Sequence, residues 1–154
     1  MPDVLLPVPH FEQAKDGTCL PACVQMVLAY WGNELTEQEL ISILDTQSFG
    51  TPISNVKRLE KQGYQISVAS LTVSQLKDHL LTQKPLICRV WTVMLDYWSD
   101  EVTSHVVVVV GFDENQVYLN DPAIEISPQT ISWDGFLAAW AEFDETTVII
   151  HPTD

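Results

Sequence analysis

Apolar and polar positions follow one period in the first part of this chain and another in the second. Residues 1–12 carry Pro2, Pro7 and Pro9 and read as an extended lead-in, because proline fixes φ and offers no N–H to a helix. Residues 19–31 are apolar on almost every side, Gln25 being the main exception, and predict a central, buried helix. Thr18 is its expected N-cap. Pro21 falls in the first turn, where no N–H is needed, and Gly32-Asn33 ends the run. Thr36 and Glu39 stand at capping-box spacing and open a second helix to about Leu44. Residues 52–62 predict a third helix, ended by Gly63.

After that the period changes. Tyr64 to Ser70 alternate as a strand. A helix beginning at Thr72 or Ser74 runs to about Thr82, and Pro85 to Trp91 predicts a buried strand. Ser104 to Phe112 predicts a second one, since five consecutive valines favour a pleated surface over a helix. Asp113 to Gln116 form a turn, and Val117 to Asn120 return. Ser132 to Ala141 read as a short helix and Thr146 to His151 as a last strand. Helices come first and a largely antiparallel sheet second, which predicts an α+β fold. There is no repeat, low-complexity tract or linker, so residues 1–154 read as one domain.

Composition narrows the function. The net charge is −14 with only seven Lys and Arg, which argues against nucleic acid as a partner, because phosphates require a basic surface. No apolar run approaches the roughly 20 residues that span a bilayer. The first residues lack the basic start of a signal peptide. The expectation is a cytoplasmic protein with no membrane segment of its own. Three cysteines is an odd count, and in that compartment they are expected to be reduced.

Cys19 then stands out. It lies between the polar turn Lys15-Asp16-Gly17-Thr18 and the apolar helix, and a helix N-terminus favours a thiolate. The bland alternative is a small buried hydrophobe, the expected role of Cys23, one turn deeper, and of Cys88 inside a strand. A nucleophilic thiol needs a base held by a third group. His105 begins the valine strand and Asp121 ends its return strand, so both stand at the open end of one hairpin. A two-residue loop at Glu114-Asn115 would turn them to opposite sides of the sheet. An odd-numbered loop or a bulge would bring them to one side, and the reading requires the latter. Gln13, six residues before Cys19, carries an amide able to donate to an oxyanion beside the Cys19 N–H.

These residues resemble a known family. The run from Gln13 through Cys19-Leu-Pro-Ala-Cys to Gly32 is similar to the start of the bacteriocin-processing cysteine peptidases, the papain-like double-glycine leader peptidases and their relatives. Thr51 to Leu59 resembles the third helix of that family. His105 to Gly111 with Tyr118 to Pro122 resembles its His and Asp segments, and Ser132 to Phe136 with Trp140 its late helix. The resemblance implies a papain-like fold and peptide-bond cleavage by Cys19, His105 and Asp121, with Gln13 as oxyanion donor. It implies a peptide or protein substrate, no metal or organic cofactor, and an exporter encoded separately. Two departures are visible. Thr18 and Leu20 replace the acidic or amide residue and the glycine that usually flank the cysteine, and the chain is expected to stand alone, with no transporter following it.

Three rivals compete with that reading. They are a non-catalytic peptide-binding module of the same fold, a zinc site using Cys19, Cys23 and His105, and an acyl-transfer enzyme. The connection Trp91 to Thr103, with Trp91, Tyr97, Trp98, Asp96, Asp100 and Glu101, reads either as a binding lip or as aromatics packed on the core. His10, His79 and His151 have no neighbours that suggest chemistry.

Overall fold

The valine run organises the molecule, seen here in a computed structural model that describes residues 1–98 and 102–153. In chain order the elements are β1 (Val4–Leu5), α1 (Cys19–Tyr30), α2 (Glu37–Ile43), a 3₁₀ helix (Ile53–Gln62), β2 (Tyr64–Ser70), α3 (Val73–Leu81), β3 (Leu86–Trp91), a 3₁₀ turn (Thr92–Met94), β4 (Ser104–Phe112), β5 (Gln116–Asn120), β6 (Gln129–Ser132), α4 (Trp133–Ala141) and β7 (Thr146–Pro152). The strands form one sheet in the order β2-β7-β3-β4-β5-β6, and β1 pairs with β4 beyond the end of β3. Each of these pairings is antiparallel.

Successive valines of β4 enter two different cores. Val107 and Val109 pack with Leu76 and Leu80 of α3 and with Phe136 and Trp140 of α4. Val106, Val108 and Val110 pack with Leu20 and Val24 of α1, Leu40 of α2, and Val56 and Leu59 of the 3₁₀ helix. A strand covered on both faces must be apolar at every position, which is why the run does not alternate. Each fully buried valine contributes roughly 1.5–3 kcal/mol by removal from water. The fold is α+β as expected, with the first three helical segments on one face. The later α3 and α4 cover the other.

Several local features differ from the sequence reading. Residues 53–62 take the tighter 3₁₀ pitch instead of a regular α-helix. Ile53, Val56 and Leu59 recur every three residues, and side chains three apart eclipse on a 3₁₀ helix. Thr18 sits at the N-cap position of α1 without capping it: its hydroxyl donates back to Lys15 O at 2.8 Å. The expected box at Thr36–Glu39 is formed, and a second, at Thr72–Gln75, sets the start of α3 at Thr72. The short strands β1 and β6 were not expected, each having too few apolar positions to show a period. Among the described residues no helix is long and apolar enough to cross a membrane.

One irregularity positions the site. Gly111 pairs with Tyr118 and Phe112 with Val117, but Val109 pairs with Leu119 and Val108 with Asn120, so Val110 is an extra residue. The bulge coincides with the crossing of β1, where Leu6 N–H donates to Val110 O at 2.8 Å. At Gly111 a Cβ would lie 2.1 Å from Val4 O, so only glycine lets β1 approach. Gly111→Ala should therefore loosen β1 and lower the unfolding free energy by roughly 1–3 kcal/mol. Urea denaturation measures this, and an unchanged midpoint would refute the close approach.

Candidate active site

The bulge carries its effect to the open end of the hairpin. Continuing the register one step from Val108 and Asn120 sets Asp121 across from Val107, two residues from His105 and on the same side of the sheet. The loop at Glu114-Asn115 is a two-residue one, so without the extra Val110 the two side chains would diverge. As built, His105 Nε2 meets Asp121 Oδ1 at 2.7 Å.

Asp121 is fully buried, and every described contact to its carboxylate is a donor. Oδ1 also accepts from Ala123 N–H at 2.9 Å, and Oδ2 accepts from Tyr97 Oη at 2.7 Å and Trp98 Nε1 at 2.9 Å. The Trp98 ring meets the His105 ring edge-on, with centroids 5.0 Å apart. Burial works against the charge on Asp121, but the bonds from His105, Trp98 and Ala123 outweigh it and hold the carboxyl below its ordinary range. Burial likewise works against an imidazolium at His105. The Asp121 bond and the neighbouring Cys19 overcome it and raise the ring to about 9.

With Nε2 engaged by Asp121, Nδ1 is the ring nitrogen left for the Cys19 thiol, which lines the same cleft and is near enough to help raise the ring. Cys19 is the first residue of α1 and is partly exposed. Since Thr18 does not cap and Pro21 has no N–H, the N–H groups of Cys19 and Leu20 face outward from an end with no acidic residue in its first turn. Cys23 and Cys88 are fully buried. Cys23 donates to Val106 O, and burial pushes its thiol up. Burial, partly offset by Thr147, pushes Cys88 up to about 12. Among the described residues no three His, Cys, Asp or Glu side chains are arranged to hold a metal ion.

Gln13 lines the same cleft of about 500 Å³ as Cys19, Leu20, Trp98 and His105. Its Nε2 donates one hydrogen to Lys15 O at 3.0 Å, and a primary amide has a second to give. The lead-in is fastened to the Asn-Asp-Pro segment at three points. Asn120 Nδ2 donates to Val8 O (3.0 Å), His10 Nε2 to Asp121 O (2.8 Å) and Gln13 N–H to Pro122 O (2.8 Å). Leu20 is 3% exposed and packs into the α1-side core while bordering the cleft.

The sequence reading missed three of these residues. His10 was set aside, yet it holds the Asp121 backbone. Tyr97 and Trp98 were read as a lip or as core aromatics, yet both donate to Asp121. Their signal was their polar ends, which a buried Tyr or Trp must satisfy. Asp100 and Glu101 of the same connection lie outside the described residues.

A thiol at an open helix end, beside an imidazole held by a buried carboxylate, is the layout of a cysteine peptidase. Comparison with known proteins agrees. The chain spans about a fifth of the length of the curated relatives it matches. One is the Lactococcin-G-processing and transport ATP-binding protein LagD of Lactococcus lactis subsp. lactis, 30% identical over 81% of this chain and 18% of that protein. A C39-like peptidase from Bacillus anthracis superposes with a TM-score of 0.81 at 15% identity, covering 98% of both chains. A double glycine motif protease from an AMS/PCAT transporter, solved in complex with the leader peptide, gives 0.70 at 23% identity over 98% of this chain and 96% of that one. Residues 5–148 match the Peptidase_C39 like family, and the chain belongs to it.

The His105–Asp121 pair sets the pH range of stability. His105 is raised above its ordinary 6.5, so its contribution is complete below that value and fades as pH rises through about 9. Asp121 is lowered, so its contribution is present above the ordinary carboxylate range and fades as pH falls below it. Asp121→Asn should lower the His105 titration, followed by NMR, from about 9, because burial is then opposed by Cys19 alone. A His105 titration left near 9 would show that another group holds the ring. Tyr97→Phe removes one donor to a buried charge and should cost roughly 1.5–3 kcal/mol in chemical denaturation.

Proposed function

We propose that this chain hydrolyses a peptide bond through a thioester on Cys19. His105 takes the thiol proton, and the sulfur attacks the carbonyl carbon. The leaving amine departs with that proton, and water then hydrolyses the thioester. Asp121 orients the ring. The Gln13 amide and the Cys19 N–H receive the oxyanion. The observation that carries this reading is the His105 ring bonded at 2.7 Å to the buried Asp121 carboxylate in the same cleft as the partly exposed Cys19, because a nucleophilic thiol needs a base oriented by a third group. The relatives support a substrate class. One is named for processing lactococcin G, and a solved neighbour holds a leader peptide. Accordingly the proposed substrate is a precursor peptide cut behind its leader in the cytoplasm, with an exporter encoded separately as partner and residues 1–154 acting as one domain.

Cleavage of a precursor-peptide library, wild type against Cys19→Ala, tests the reading. The variant should lose roughly 10³-fold or more. Binding retained by both with no cleavage by either would instead mark a non-catalytic peptide-binding module. The kcat/KM profile should fall on the alkaline side near pH 9 and shift to lower pH in Asp121→Asn. Iodoacetamide near pH 6 should modify Cys19 alone, since Cys23 and Cys88 are closed to solvent, and modification should slow in His105→Ala. Equal labelling rates in wild type and His105→Ala would contradict the pair.

A further inference from the structure

Arg89 is the single Lys or Arg among the residues lining the cleft. It stands on β3 directly across from Val106, the residue after His105, so its backbone is fixed beside the site. β7 pairs with β3 only as far as Cys88, so that edge of β3 is open at Arg89. The guanidinium carbon lies 4.3 Å from the centre of the Phe143 ring, and Phe143 is itself packed against Trp91. Stacking takes one face of the guanidinium and leaves its N–H edge available. Acidic residues outnumber basic ones by 21 to 7, yet among the described residues none forms an ion pair with Arg89. Asp16, the one carboxylate among the described residues lining the cleft, belongs to the loop before Cys19 and is not paired with it. A preorganised guanidinium in a cleft is a receptor for a carboxylate.

We infer that Arg89 is a specificity-determining residue that binds a carboxylate of the substrate, so that the cleft selects peptides acidic near the scissile bond. This rests on the proposed peptidase reading and names its substrate class. The surrounding negative charge repels acidic peptides in general. Selection therefore comes from the short contact, which screening at about 0.15 M salt weakens little in a sheltered site. The carboxylate belongs to a Glu or Asp side chain or to a chain end, and the two are separable.

The test uses fluorescein-labelled peptides in pairs, Glu against Gln at each position with an amidated end, and a free against an amidated C-terminus. Polarisation measures binding to Cys19→Ala protein, and kcat/KM is read on the wild type. One acidic position should bind about tenfold more tightly than its neutral partner. Arg89→Gln should abolish that preference, Arg89→Lys retain part of it, and Arg89→Glu turn it toward Lys. A preference confined to the free C-terminus assigns the carboxylate to the chain end. Equal binding across all pairs, a preference that survives Arg89→Gln with near-ultraviolet circular dichroism unchanged, or no binding of any acidic peptide below millimolar overturns the inference. Binding without cleavage would count against the peptidase reading alone.

Discussion

The buried carboxylate of Asp121 is the constraint on which the rest of the site depends. An ionised carboxylate removed from water without partners costs several kcal/mol, so it is stable only where donors surround it. Here the donors come from separate parts of the chain: His105 at the start of β4, Tyr97 and Trp98 from the connection after β3, and Ala123 just downstream. The need to satisfy one charge thus gathers them. The neighbouring backbone does the same for the lead-in, since Val8, His10 and Gln13 are each bonded to the 120–122 segment. Gln13 is therefore fastened at Pro122, next in the chain to the Asp121 that holds the imidazole.

The scaffold has to hold that gathering in place, and the two-sided core does so. β4 is packed on both faces and bonded on both edges, so His105 extends from the most constrained strand of the sheet. α1 packs on one face of β4, and Cys23, one turn in from its start, touches Val106 O. The helix cannot slide along the strand without breaking that core, and its first residue is held near the first residues of β4. Rigid elements meeting at their ends give a more precise site than loops would.

Three cysteines show how far environment decides chemistry. Cys88 is closed between sheet and α4 and bonded weakly to Thr147, and Cys23 is closed under α1. Cys19 differs from Cys23 by one helical turn, which moves the sulfur from the core to the cleft. Burial penalises the thiolate of the first two and leaves them inert.

Much of this was legible in the residues themselves. Helix and strand periods, the capping box at Thr36, the buried valine strand and the thiol at a helix start are local properties, set by backbone preference and by the spacing of apolar side chains. So was the condition that His105 and Asp121 need an odd-numbered loop or a bulge to share a face, because side chains on a strand alternate. What the sequence left open was how that condition is met. The extra residue at Val110 lies where β1 crosses at Gly111, a contact between residues more than a hundred positions apart. Thr18 looked like a cap until its hydroxyl turned to Lys15. His10, Tyr97 and Trp98 had no local pattern marking them as neighbours of Asp121, and Arg89 read only as part of a strand. Local chemistry is written along the chain, whereas the choice of partner for a buried charge is a matter of distance in three dimensions, and only the packed sheet decided it.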